Sequence, residues 1–196
     1  MASKKPTQRE AEASIRRVAS KKGVSVLVLA IALGASVKEG ISLVVYDDGL
    51  GIPTTCFGQT GKDVKFGQAP RDLDGCSDQL LTRTQASIDH LDKRIGPIKT
   101  PGGVITFSQL TYGEQKAYVS IYDNVGDGRY GVKDGLFAQK SADRVSRIVQ
   151  HLRAGDRRAA CKSILDWVNP KWMPGIKIRR EAENKMCLSC LLYTSD

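Results

Sequence analysis

Glu39, Asp48 and Thr54 lie in one glycine-rich segment, VKEGISLVVYDDGLGIPTTCFGQTG, residues 37–61. Eight residues separate the two acids, and five separate Asp48 from Thr54. Two carboxyl groups facing one cleft suit cleavage of a glycosidic bond. One delivers a proton to the leaving oxygen, and the other activates water or attacks the anomeric carbon. Glu39, flanked by Gly40, Ile41 and Leu43, is the expected proton donor, because an apolar setting raises a carboxyl pKa and keeps the group protonated near neutrality. Asp48, on a polar turn, is expected to stay ionised as the base, with the Thr54 hydroxyl orienting a water beside it. Taken singly, the three read as a helix carboxylate, a turn former and a strand residue. Their joint spacing points to chemistry.

Such a site needs Glu39 at the end of a helical turn and the other two on a tight ribbon. Val44-Val45-Tyr46 favours a strand, Asp47-Asp48-Gly49 a turn, and residues 52–57 the returning strand. Beyond this hairpin the chain reads as helical. Leu80, Leu81, Ile88, Leu91 and Ile95 keep helical spacing until Gly96-Pro97 stops it. After a loop containing Pro101, Gly102 and Gly103, helices are expected at residues 112–125, around 145–152 before Gly155, after a capping Asp156 with Ala160, Ile164, Leu165 and Val168 buried, and over 178–188. A small hairpin lobe followed by a larger helical lobe makes an α+β fold with a cleft between the lobes, a common place for a site.

A chain of 196 residues, 41% hydrophobic and 26% charged, is long enough for one well-buried domain and is not disordered. Its charge of +9 favours anionic partners. Residues 1–23 hold seven cations against Glu10 and Glu12, so +5 belongs to this basic N-terminal tail and the rest is mildly basic. With 6% aromatic residues and no recognisable motif, no nucleic-acid partner is expected. Residues 24–37, VSVLVLAIALGASV, carry no charge. As a helix they reach about 21 Å, short of a hydrocarbon core of about 30 Å. A basic segment before a short apolar run reads as a signal or signal-anchor for general export, with small residues near Ala35 for cleavage; a buried core helix is the alternative.

Of the five cysteines, Cys190 begins CLLYTSD, residues 190–196, which matches one frame of a common transposase sequencing adaptor and is expected to be an artefact. The other four can pair in three ways. Cys56 with Cys76 and Cys161 with Cys187 is the expected pairing, formed after export, with free buried thiols as the alternative. No Cys-x-x-Cys is followed by a second, and His90 and His151 are expected at the surface, so neither metal nor other cofactor is expected.

The Glu39, Asp48, Thr54 spacing resembles that of the phage-type lysozymes, glycoside hydrolase family 24. The words Glu39-Gly40, Tyr46-x-Asp48-x-x-Gly51 and Thr54-x-Cys56-x-Gly58-x-Thr60-Gly61 are similar to that family's. So are Asn124-Val125-Gly126-x-Gly128, Ala154-Gly155-Asp156 before Ala160-Cys161 and Trp167, and Gly175 before Arg179-Arg180-Glu181. The likeness spans residues 38–189, the expected catalytic domain. It implies a monomeric, lysozyme-like muramidase that cleaves the β-1,4 bond between N-acetylmuramic acid and N-acetylglucosamine in peptidoglycan. It further implies inversion, with carboxyl groups roughly 6.5–9.5 Å apart, and substrate contacts at Gly51, Asn124 and Gly126. Asn124 capping a helix end is the alternative, and Arg179-Arg180-Glu181 is expected to be a solvated helical face or a brace on the cleft wall.

This chain departs from the family pattern at Pro53, Phe57 and Asp123, and Val132-Lys133-Asp134-Gly135-Leu136 replaces the usual Ser-Thr-Leu segment. Some similar endolysins use a signal-anchor that later leaves the membrane. Only Lys38 separates Val37 from Glu39, so residues 24–37 in the inner membrane would hold the proton donor at its surface until release to the periplasm. A catalytically inactive wall-binding module and a basic membrane-associated binding protein are the rival readings.

Overall fold

Thr7 starts the first helix, α1 (Gln8–Lys22), through a reciprocal cap. Its hydroxyl accepts from the Glu10 N–H at 3.2 Å, and the Glu10 carboxylate accepts from the Thr7 N–H at 2.7 Å. The computed structural model describes residues 5–142, 144–168, 174–189 and 191, without the side chains of Lys38, Glu39 and Pro174. It divides into two compact units, Met1–Ala86 and Ser87–Asp196.

In the first unit, the stretch expected as a basic tail holds α1. Ala11, Ser14, Ile15, Val18 and Ala19 form its buried stripe, and full burial of Ile15 alone is worth about 1.5–3 kcal/mol. Its polar residues reach two neighbours. Gln8 Nε2 donates to Ser36 Oγ of α2 (Val26–Glu39) at 3.3 Å, and Ser14 Oγ lies 2.6 Å from Asp74 Oδ1 and 2.8 Å from Ser77 Oγ of α3 (Leu73–Ile95). Arg17 pairs with Asp74, and Lys22 with Asp78 at 2.5 Å.

The apolar run falls in α2, capped by Ser25, whose Oγ accepts from the Val28 N–H at 3.3 Å. Val28, Ile31, Ala32 and Ser36 are buried, whereas Val26 and Val37 are 84% and 63% exposed. Among the described residues, no helix is long and apolar enough to cross a membrane. Gly40 ends α2 at φ +64°, a backbone setting that costs a side-chain-bearing residue energy. The chain then enters β1 (Ser42–Asp47), antiparallel to β2 (Pro53–Cys56), with Tyr46 opposite Thr54. Cys56 is bonded to Cys76, so the end of β2 is tied to α3.

The second unit opens with a hairpin, β3 (Ile98–Thr100) and β4 (Gly103–Ile105), where only a loop was expected. Three residues per strand leave no alternation to read. α4 (Tyr112–Val125) matches the expected span and buries Ala117, Tyr118 and Ile121. Its fully buried Glu114 accepts from the Thr111 N–H at 2.9 Å and from Arg157 at 2.8 and 2.5 Å. Arg157 begins α6 (Arg157–Lys162), which follows α5 (Arg147–Ala154) and is capped by Asp156, as expected.

The helix after Asp156 narrows to a 3-10 turn at Ser163–Asp166, and this changes one expectation: Leu165 is 41% exposed, not buried. Three residues per turn instead of 3.6 rotates it off the apolar face. α7 (Pro174–Ser189) packs on α4 and α6 and is bonded to α6 through Cys161–Cys187. Of residues 190–196, only Leu191 is described, so the expected adaptor-derived segment lies almost wholly outside the described residues.

Candidate active site

Asp47 and Asp48 build the turn between β1 and β2 by taking up its backbone donors. Asp47 Oδ1 accepts from the N–H groups of Gly49 and Gly51, both at 2.8 Å. Asp48 Oδ1 accepts from Leu50 at 2.8 Å and from Ile52 at 3.2 Å. Short acidic side chains that bond the backbone two to four residues on are what hold such a turn. Asp48 is thereby fixed through one oxygen, and its Oδ2 takes no hydrogen bond among the described residues.

Thr54 is joined to Asp48 through Ile52. The Ile52 carbonyl accepts from the Asp48 N–H at 3.3 Å and from the Thr54 hydroxyl at 3.1 Å. Thr54 is 3% exposed. Its single proton is spent on Ile52, so the hydroxyl oxygen is left as an acceptor. Gly51, an expected substrate contact, has φ +77° in the same turn and gives its N–H to Asp47. Glu39 is the last residue of α2, the helix-end position that the sequence required. Its side chain, and with it the expected carboxyl separation from Asp48, lies outside the described residues.

In the second unit, Asn124 stands one residue before the end of α4, and Gly126 ends that helix at φ +67°, its N–H bonded to the Tyr122 carbonyl at 2.7 Å. Asn124 Oδ1 accepts from Arg180 Nη2 at 2.9 Å. Arginine has donors only, so the amide oxygen must face it and the Asn124 NH2 faces away. Arg180 is 2% exposed, and burial pulls its guanidinium below the ordinary value, with Glu183 opposing that shift. Arg180 Nη1 donates to the fully buried Glu183 at 2.6 Å, and Glu183 also accepts from Ser120 at 2.5 Å and Arg179 at 3.2 Å. The expected solvated face at Arg179-Arg180-Glu181 is thus corrected at Arg180, which is buried and bonded to Glu183 and Asn124. Only Glu181 is a surface residue with a helical ion pair, to Lys177 at 3.9 Å.

Asn124 and Arg180 line a cavity of about 570 Å3 within the second unit, together with Trp167 and Ile176 on its apolar side. The sequence reading did not anticipate Lys133, Gln139 and Asp166, which also line it. They come from a loop and a 3-10 turn, where no periodicity marks a shared face. The loop is set by two glycines: a Cβ on Gly128 or Gly135 would collide with the backbone of the other. His90 stacks on Tyr122 at 5.2 Å and bonds Asp127 at 2.7 Å, half-buried instead of at the surface. The Tyr122 hydroxyl is pushed up to about 12 by burial first and by Asp127 second. Among the described residues, no cluster could hold a metal ion.

The chain is 29% identical to the SAR-endolysin of Enterobacteria phage PA-2 over 153 residues, covering 76% of this chain and 77% of that one. The SAR-endolysin of Enterobacteria phage P21 matches to the same extent. Among solved structures, the active form of the P1 phage endolysin Lyz shares the fold with a TM-score of 0.67 at 18% identity, covering 99% of this chain and 100% of that chain. The endolysin from Escherichia coli O157:H7 phage FAHEc1 gives 0.58 at 24% identity, covering 84% and 92%. The family model described as phage lysozyme matches residues 36–183, from the end of α2 through most of α7. A helical chain with small antiparallel hairpins, two disulfides and that match belongs to the phage lysozyme family of glycoside hydrolases.

Proposed function

We propose that the protein is an inverting muramidase that lyses a bacterial host by cutting the β-1,4 bond between N-acetylmuramic acid and N-acetylglucosamine. Glu39 protonates the leaving oxygen. Asp48 takes a proton from the attacking water, and Thr54 holds that water. The observation that carries this reading is how the hairpin's polar atoms are spent. Asp48 has one oxygen committed to the turn and Oδ2 uncommitted, while the Thr54 proton is committed to Ile52. A water that gives one hydrogen to Asp48 and the other to Thr54 keeps its lone pair for the anomeric carbon. Fixing that water before reaction removes part of the entropic barrier.

Asn124, oriented by Arg180, supplies a donor to the substrate, and Gly126 permits close approach. Export comes from residues 24–37, and release from the inner membrane to the periplasm is supported by relatives named SAR-endolysin. α2 carries both the apolar run and Glu39. Bilayer residence of that helix therefore takes the proton donor away from the hairpin. Clearing of a suspension of purified peptidoglycan tests the activity, and the anomeric configuration of the first product tests inversion. A retained anomer sinks the water-holding role of Thr54, and no clearing sinks the muramidase.

A further inference from the structure

α1 meets two helices of the first unit through polar atoms, and each contact falls close to a part of the hairpin site. At its first turn, Gln8 Nε2 donates at 3.3 Å to Ser36 Oγ, and Ser36 gives its own proton to the Leu33 carbonyl at 2.8 Å. Ser36 is fully buried, three residues before Glu39 on α2. In the middle of α1, the fully buried Ser14 hydroxyl lies 2.6 Å from Asp74 Oδ1 and 2.8 Å from Ser77 Oγ, and Ser77 is fully buried too. At its end, Lys22 reaches Asp78 at 2.5 Å and Thr82 at 3.2 Å. The part of α3 that receives α1 is also the part tied to β2, because Cys76, bonded to Cys56, stands between Asp74 and Ser77.

These bonds close a ring of elements. α2 ends at Glu39, Gly40 and Ile41 lead to Ser42, and Ser42 faces Cys56 across the hairpin. Cys56 is bonded to α3, α3 holds α1, and α1 returns to α2 at Ser36. An apolar stripe such as Ala11, Ile15 and Val18 tolerates small slips along its neighbour. A buried hydroxyl does not, because its partner must stay within about 3 Å. Ser14, set inside that stripe, therefore fixes the depth and rotation of α1, and Gln8 passes this register to the last turn of α2. The phage lysozyme match begins at residue 36, so α1 lies outside the matched segment.

We infer that α1 is a strut that sets the proton donor against the hairpin, with Gln8, Ser14 and Asp74 as positioning residues for glycoside cleavage. The inference rests on the roles proposed above for Glu39 and Asp48, and it adds the element that holds one against the other. Displacing a reacting group by about 1 Å costs on the order of 100-fold in rate. A helix end that wanders is therefore felt in the chemical step before it is felt in substrate binding. A donor that leaves its apolar seat also ionises more readily.

The double variant Gln8→Ala, Ser14→Ala of the full chain tests this, beside Arg9→Ala at an exposed position of the same helix. Hydrogen exchange reads the strut without turnover. The amides of residues 36–39 should lose about tenfold in protection in the double variant and keep it in Arg9→Ala. On purified peptidoglycan, kcat of the double variant should fall about tenfold while the apparent KM stays within about twofold of the parent's. The alkaline limb of its pH profile should move to lower pH, because the displaced donor loses its proton earlier. A helix that only stabilised the fold would lower the unfolding midpoint and leave that limb in place. Unchanged protection at residues 36–39, or a parent kcat and a parent alkaline limb in the double variant, overturns the inference. Protection lost as expected, in a protein whose parent chain fails to clear peptidoglycan, instead overturns the muramidase reading and leaves the hold of α1 on α2 established.

Discussion

Arg180 and Asn124 are joined by a single 2.9 Å hydrogen bond, from a guanidinium that is itself buried and braced by Glu183. The exposed amide is therefore oriented from below. Lysine cannot reproduce this, because one ammonium on a flexible stem does not span both partners. Arg180→Lys should lower stability by about 2–4 kcal/mol, chiefly by leaving Glu183 under-compensated in the interior. Denaturant unfolding measures the loss. Asn124→Ala, at an exposed position, should be far milder in the same assay.

Thr54 and Asp48 share Ile52, so removing the Thr54 hydroxyl touches stability and chemistry differently. Thr54→Val keeps the volume and loses one hydrogen bond, about 0.5–1.5 kcal/mol. Its peptidoglycan-clearing rate should fall by about 10- to 100-fold, because a held water becomes a free one. Thr54→Ser should restore most of the rate. A Thr54→Ser variant as slow as Thr54→Val would show that the methyl group, and not the hydroxyl, is what the site needs.

The α1 docking contacts carry their own pH signature. Asp74 is held below its ordinary value of 3.8, first by its hydrogen bond from Arg17 and then by that from Ser14. A depressed carboxyl contributes stability that is present above the unfolded value and is lost as pH falls through the folded one. The α1 amides should therefore stay protected from hydrogen exchange near neutrality and lose protection below about pH 4. In Asp74→Asn, the amides should be less protected at neutrality and insensitive to that drop.

Cys161–Cys187 closes a separation of 26 residues between α6 and α7, and by chain entropy such a link is worth about 3–4 kcal/mol. The Cys161→Ala, Cys187→Ala double variant should lose about that much in denaturant unfolding. Its clearing activity below the transition should persist, because neither sulfur belongs to the hairpin.

Long apolar periods made most of the helices legible from sequence: α3 and α4 fall where their spacing puts them, and Asp156 caps α6 as its type suggests. The hairpin was readable from Val44-Val45-Tyr46 and the Asp47-Asp48-Gly49 turn. α1 was hidden by its own charges, since the buried stripe uses Ala, Ser and single aliphatic residues between Arg and Lys. The packed state of α2 was equally hidden, because an apolar run reads alike for a protein core and a bilayer. The buried Arg180 could not be foreseen, as a guanidinium looks solvated until its carboxylate partner is known to come from the next turn of the same helix. The cavity of the second unit was illegible for a related reason: it joins a glycine loop, a 3-10 turn and helix ends that share no period.

Glu39→Gln and Asp48→Asn test the central claim most directly, assayed for clearing of purified peptidoglycan beside unfolding of each variant. Glu39→Gln should lower the rate by at least about 100-fold, and Asp48→Asn by a comparable factor, with both variants folded. Folded variants that clear peptidoglycan at the parent rate would contradict the assignment of these two acids.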